Sequence, residues 1–289
     1  MWDETLYAGS AAYYAAGRMP YPKEMVDAVR AALSLDGGGR LLDVGCGPGS
    51  LTLLLAPFFA AVVGVDADRD MLAHARDQAA RAGVTNASWH HLRAEHLPGG
   101  LGRFRAVSFA QSFHWFDRPR VAAAVRGMLE PDGAWVHVYA TTHQGVPGRD
   151  PLPYPRPPRD AVSALVTRYL GPVRRAGQGR LPAGTPSGEE EIMVAAGYRG
   201  PERVQVGGGS VVERTEDDVV ASIFSLSGSA PHLFGERVAD FERDLRALLR
   251  AASPDGWFAE RTREIELVIW RPPRDGGGHT ASRYSSEEY

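Results

Sequence analysis

The run LLDVGCGPGSLTLLL at residues 41–55 constrains this chain more than any other stretch. Apolar residues enter it, Gly45, Gly47 and Gly49 break it with one proline between them, and apolar residues resume. Glycine takes up left-handed backbone without steric cost. Three within five residues therefore predict a tight turn whose backbone is kept bare so that something can lie against it. With a strand before it and a helix after it, such a turn presents free N–H groups and a positive helix end, which favour nucleotides and other polar ligands.

The chain around this turn alternates in a regular way. Residues 23–35 carry apolar positions at helical spacing, 41–44 and 61–66 read as short strands, and the second is apolar throughout, as a strand covered on both faces should be. Asp68 is placed to cap a helix that Gly83 stops. Strands follow near 87–91, 105–110 and 134–140, with a helix over 119–129 ended by PDG. Strand and helix in this order predict a parallel sheet wrapped on both faces, with its ligand crevice at the strands' carboxyl ends. Past residue 142 a proline-rich stretch breaks the rhythm. Helices are expected at 160–170, 188–196, 216–227 and 234–252, and late strands at 202–212 and 264–270. Helical material inserted among late strands reads as a cap laid over the sheet's carboxyl edge.

Composition narrows the partners. The 289 residues suffice for one elaborated domain with a large core, and a formal net charge of −3 argues against a general nucleic-acid binder. No apolar run reaches the ~18 residues of a membrane span. Residues 1–10 are acidic where a signal peptide would be basic, so a cytoplasmic protein is expected. Cys46 is the only cysteine, which excludes an intramolecular disulfide, and its place under the turn suits a small packed side chain. The expected partner is a small molecule, with no nucleic acid and no membrane, and the chain is expected as a monomer or homodimer.

Asp66 sharpens the ligand. An acid at the end of the second strand, 17 residues past Gly49, is placed to accept hydrogen bonds from both hydroxyls of a ribose. The glycine spacing is G-x-G-x-G with Ser50 at the sixth place, which disfavours a dinucleotide. Asp43, just before the turn, would repel a pyrophosphate but accept from the amino group of an amino-acid moiety.

The stretches LLDVGCGPGSLT, VVGVDADRDML, RAEHLP, QSFHWFD and MLEPDGAWV, in this order between residues 10 and 140, resemble the successive motifs of class I S-adenosylmethionine-dependent methyltransferases. SFHWFD is similar to the branch related to trans-aconitate methyltransferases and small-molecule tailoring enzymes, and YYAAGRMPYP resembles that branch's N-terminal lid. The resemblance implies an α/β fold: a Rossmann-like, mostly parallel seven-stranded sheet with helices on both faces and a helical cap. It implies a lid over 1–35, a cofactor-binding core over 36–142, a cap insertion over 143–197, late strands with further cap helices over 198–272, and a flexible tail over 273–289.

It also implies roles. Gly45, Gly47 and Gly49 pass beneath S-adenosylmethionine, Asp66 with Ala67 holds the ribose, and Ala94 and Glu95 flank the adenine. Gln111 lies near the methionine portion, and His114 and Trp115 form the floor where donor meets acceptor. Arg18 is the candidate for the methionine carboxylate, with Tyr13, Tyr14 and Tyr21 closing over it. Arg93 and Arg105 depart from the family pattern, each standing where an Asp is usual.

Methyl transfer from a sulfonium is an in-line displacement needing alignment and an apolar site, and no metal. A hydroxyl acceptor calls for a base, and His114 is the best placed; its alternative role is structural, packed beside Trp115. His137 and His143 either reach the acceptor pocket or are satisfied histidines at its edge. Adjacent His90 and His91 point to opposite faces of a strand and form no metal pair. Phe224 and its neighbours line an apolar acceptor cavity or pack the cap. The acidic run at 189–191 reads as the solvated first turn of a helix. The leading expectation is methylation of a small, fairly apolar metabolite in natural-product biosynthesis, O-methylation ahead of N- or C-methylation, with S-adenosylhomocysteine as product. A cyclase or other non-methylating enzyme on the same fold is the alternative.

Overall fold

The computed structural model describes residues 6–176, 179–180 and 188–273. Beyond residue 273, the tail expected at 273–289 lies outside the described residues.

The glycine turn joins β1 (Arg40–Val44) to α3 (Ser50–Leu55). The N-terminal segment ahead of it holds α1 (Ala11–Gly17) and α2 (Lys23–Leu33). After it come β2 (Ala61–Asp66), α4 (Arg69–Arg81), β3 (Ala87–His91), β4 (Phe104–Ala110), α5 (Arg118–Met128) and β5 (Leu129–Tyr139). Asp68 caps α4 as its position requires, accepting from the N–H groups of Asp70 and Met71. Then follow α6 (Arg159–Leu170), the two-residue strands β6 (Arg175–Ala176) and β7 (Gly179–Arg180), α7 (Glu189–Ala195), β8 (Arg199–Gly207) and β9 (Val211–Thr215). The chain closes with α8 (Glu216–Phe224), α9 (Val238–Ala252), β10 (Trp257–Arg261) and β11 (Glu264–Arg271).

Seven strands form one sheet in the order β3-β2-β1-β4-β5-β11-β8. Only β11 runs antiparallel to its neighbours, so the sheet is mixed and mostly parallel, with the strand order reversing between β1 and β4. Alternation along each strand splits the interior into two layers. Leu42, Val44, Val107 and Trp135 pack under α5 and α7, while Leu41, Ala106, Val136 and Leu267 pack under α2 and α3. A third apolar cluster belongs to the cap, where Val162, Val219, Phe224, Phe234, Phe241 and Leu249 of α6, α8, α9 and the intervening turn gather with Phe258.

Two features differ from the pattern reading. The strand expected over 202–212 is two strands in different sheets, because Gly207, Gly208 and Gly209 all take left-handed backbone and turn the chain between β8 and β9. β9 then pairs antiparallel with β10, a partner more than forty residues away, so no local turn signal announced it. α7 packs on α5 through fully buried Met193, which places this part of the 143–197 segment against the sheet. Its acids are also engaged: Glu189 accepts from the Tyr139 hydroxyl and Glu190 pairs with Arg203.

No helix among the described residues is long and apolar enough to cross a membrane.

Candidate active site

A cavity opens at the carboxyl ends of β1, β2 and β4. Gly45 and Gly47 of the turn line it, together with Asp66 and Ala67 at the end of β2, Arg93, Ala94 and Glu95 after β3, and Gln111, Ser112 and Trp115 after β4. Leu6, Tyr7 and Tyr14 of the N-terminal segment line it too, and Tyr7 meets Trp115 edge to face at 5.9 Å.

The three glycines serve different ends. All have positive φ, at 69°, 54° and 82°. A methyl on Gly49 would stand 2.6 Å from Trp89, and one on Gly45 2.7 Å from Ser112, so both glycines are demanded by packing. A methyl on Gly47 would meet no protein atom within 4 Å. Gly47 borders the cavity, so that empty space is where a ligand would lie.

Asp66 is held for a purpose its neighbours do not exhaust. Its two oxygens accept from the N–H groups of Gly47, at 2.8 Å, and Asp68, at 2.9 Å. Each carboxylate oxygen retains acceptor capacity toward the cavity. Burial pushes its pKa up to about 6 against these backbone bonds, a poised acid that hydrogen bonds from a ribose would favour in its ionised form. Arg93, where an acid was usual, pairs with Glu95 at 3.5 Å, and Glu95 also accepts from the N–H of Asp117. Arg105 ties the start of β4 to Asp36 and to the carbonyl of Ser34 at the end of α2 and does not line this cavity.

Gln111 is the only non-glycine residue besides Ser34 with left-handed backbone among the described residues, at φ 53°. Strained non-glycine backbone of this kind clusters at functional sites. Gln111 ends β4, and it also lines a second, wider cleft with Tyr139, Ala140, Thr141, Val146, Thr262, Arg263, Glu264 and the backbone of 207–209. Gln111 is thus a residue that borders both spaces.

Several expected residues stand elsewhere. Asp43 is 1% exposed, and its oxygens accept from Thr52 at 2.6 Å and Ser108 at 2.7 Å, so it braces β1 against α3 and β4 from behind the turn instead of meeting an amino group. Burial raises its pKa, partly offset by these two bonds. Arg18 lies outside the cavity wall, its guanidinium spent on the hydroxyl and carbonyl of Ser225 at 3.0 and 2.9 Å while it stacks on Tyr14. Tyr13 and fully buried Phe224 contact each other in the cap's apolar core, with ring centres 5.0 Å apart, and Tyr21 packs against the α2 layer. An apolar side chain in a helical cap is first needed to hold the cap together, and these positions obey that demand.

His114 sits in the one-turn helix Phe113–Trp115, beside the Trp115 ring, and lines neither cavity. Burial and nearby Arg118 lower its pKa to about 4, so the ring is neutral at pH 7 and a weak proton acceptor. His137 is buried among Phe109, Phe113, Trp135 and Tyr139, its Nε2 without a partner, and burial lowers its pKa to about 3. His143 is lowered to about 3 by burial and four surrounding arginines. Pattern reading did not single out Tyr7, Tyr139 or Arg263 as cavity residues. Each is brought in by chain crossing from outside the glycine-turn core or by strand direction, and neither leaves a local motif.

Residues 41–133 match the methyltransferase-domain family. An uncharacterized methyltransferase of Bacillus subtilis, YcgJ, is 32% identical over 100 residues, which are 34% of this chain and 40% of that one. Its crystal structure superposes with a TM-score of 0.50 at 17% identity, covering 86% of this chain and 98% of that one. The cyclase SpnF superposes with a TM-score of 0.50 at 19% identity, covering 89% and 85%. At these identities the structural likeness speaks for the fold alone. The chain spans less than half the length of the curated relatives it matches. Family match, sheet order and the cavity over the glycine turn agree, and residues 41–133 are an S-adenosylmethionine-dependent methyltransferase domain.

Proposed function

We propose that this chain transfers a methyl group from S-adenosylmethionine to a small metabolite held in the wide cleft, with a hydroxyl oxygen as the first candidate acceptor and a natural-product pathway as the setting. The observation that carries the reading is the shared position of Gln111, which borders both the cavity over the glycine turn and the cleft. A donor bound in the first space and an acceptor in the second would face each other there.

The bound cofactor supplies an electrophilic methyl on a sulfonium, so the protein's work is alignment. Asp66 accepts from the ribose, the bare backbone at Gly47 leaves room for the ligand, and Tyr7, Tyr14 and Trp115 cover it and exclude water. Tyr139, Ala140 and Val146 offer the acceptor an apolar wall. Among the described residues no histidine lines either space, so a hydroxyl acceptor would lose its proton to water or to a group of its own rather than to His114. His114 then supports Trp115. Fold does not decide between methyl transfer and cyclisation. Incubating the protein with S-adenosylmethionine and a metabolite extract distinguishes them: S-adenosylhomocysteine formed one-for-one with a methylated product supports transfer, and turnover without it supports the cyclase.

A further inference from the structure

Four arginines converge on the corner between the cleft and the cap, and one carboxylate is buried among them. Glu260, 4% exposed, accepts from Arg159 at 2.6 and 3.2 Å, from Arg214 at 3.2 Å and from the N–H of Gly145 at 3.0 Å. Arg214 also donates to the carbonyls of Gly17 and Asp218, and Arg159 to the hydroxyl of Ser222. Both donate to the carbonyl of His143. These two guanidinium groups are consumed inside the protein.

The other two have no carboxylate partner among the described residues. Arg263 uses only Nε, on the carbonyl of Gly145 at 3.1 Å, and among the described residues its two terminal nitrogens have no hydrogen-bond or ion-pair partner. It is half-buried and lines the cleft. Arg18 reaches the same corner, because the next residue, Met19, donates its N–H to the carbonyl of Thr142 at 2.8 Å. Arg18 is satisfied by neutral Ser225 and has no carboxylate partner among the described residues. The field of all four arginines reaches the His143 ring, which stays neutral and supplies no counter-charge. Among the described residues Glu264 is the one acid lining the cleft, and it is exposed.

The corner therefore holds an excess of positive charge, and Arg263, whose terminal nitrogens are unpaired among the described residues, lines an open cleft. A guanidinium presents paired N–H donors whose spacing matches a carboxylate, and a partly desolvated cleft magnifies the attraction. We infer that the cleft recognises its acceptor by a carboxylate, anchored on the terminal nitrogens of Arg263 within the field of Arg18. This rests on the methyl-transfer reading above and adds the chemical class of the acceptor. The anchor is not the group methylated: the carboxylate sits at Arg263, the apolar body lies along Tyr139, Ala140 and Val146, and the reacting atom lies at Gln111. The acceptor is then an amphiphilic acid.

The test uses the full chain saturated with S-adenosylhomocysteine and titrated calorimetrically with benzoate, phenylacetate and hexanoate, each against its amide. At least one acid should bind about tenfold more tightly than its amide, and this preference should shrink as sodium chloride rises. Arg263→Gln should remove the preference while leaving S-adenosylhomocysteine affinity unchanged, since Arg263 does not border that cavity. Acids and amides binding alike, or an acid preference that survives in Arg263→Gln, would overturn the carboxylate anchor and leave methyl transfer standing. Failure of S-adenosylhomocysteine itself to bind, seen before any acid is added, would overturn both.

Discussion

At the scale of single residues, Asp66 and Gly47 carry the cofactor argument. The hydroxyls of a ribose donate, so binding needs Asp66 ionised. With a pKa near 6 in the free protein, affinity for S-adenosylhomocysteine should be level above about pH 7 and fall as the pH drops below about 6. Titrations across that range check it, and a flat profile would remove Asp66 from the site. Asp66→Ala should weaken binding by about 1–3 kcal/mol. In the ligand-free protein the same raised pKa works against the fold, because the native state holds a proton that the unfolded chain has released, so this group's contribution declines as pH rises from 3.8 toward 6. Gly47→Ala and Gly49→Ala should separate two uses of glycine. Both strain a left-handed backbone by about 1 kcal/mol, but only Gly49→Ala drives a methyl into Trp89. Gly47→Ala should therefore lose cofactor affinity with modest loss of melting temperature, and Gly49→Ala should mainly lose stability. His114→Ala should lower turnover less than about tenfold and leave the pH–rate profile unmoved between pH 6 and 9, since a group titrating near 4 has no inflection there. A lost inflection would restore His114 as the base.

At the scale of elements, the N-terminal helix and the cap behave as one layer. Gly17 at the end of α1 lies so close to α8 that a methyl would stand 2.5 Å from the carbonyl of Ala221. Ser10 donates to the carbonyl of Phe224 at 2.8 Å, and Arg18 holds Ser225. Tyr14, on α1, lines the cofactor cavity, so the position of α1 on α8 sets how that cavity is covered. Gly17→Ala should push the helix outward. The expected result is a loss of about 1–3 kcal/mol from overpacking, together with faster release of S-adenosylhomocysteine in stopped-flow chase experiments. Unchanged release would mean that the cap and the lid are not coupled through this contact.

At the scale of the whole molecule, Glu260 is the pin between sheet, cap and the proline-rich connection. It reaches Gly145 after β5, Arg159 of α6 and Arg214 of β9. Burial pushes its carboxyl up, but Arg159, Gly145 and Arg214 outweigh that and hold it below the usual glutamate range. A depressed acid stabilises the fold above its unfolded-state value, 4.5, and the contribution drains away as pH falls through the lower native value. Glu260→Ala leaves buried Arg214 and half-buried Arg159 without their shared carboxylate partner and should cost about 3–5 kcal/mol in urea unfolding. A loss under about 1 kcal/mol would show that the pair is replaceable by water.

Sequence alone determined what local chemistry encodes. Glycines forced a turn between β1 and α3, Asp68 capped α4, two-sided burial made β2 continuously apolar, and the acid ending β2 placed Asp66 at the cavity. Each is a consequence of a residue and its immediate neighbours, so the core sheet and half of the cofactor cavity were legible. Tertiary structure decided the rest. Whether Arg18 faced a carboxylate or Ser225, whether Phe224 lined a cavity or filled the cap, and which arginine kept its guanidinium free depended on partners that the neighbouring sequence does not name. β9 and β10 likewise acquired strand character only from each other. Long-range pairing and burial choose among side-chain roles that local propensity leaves equal, and for this protein that choice built the wide cleft beside Gln111.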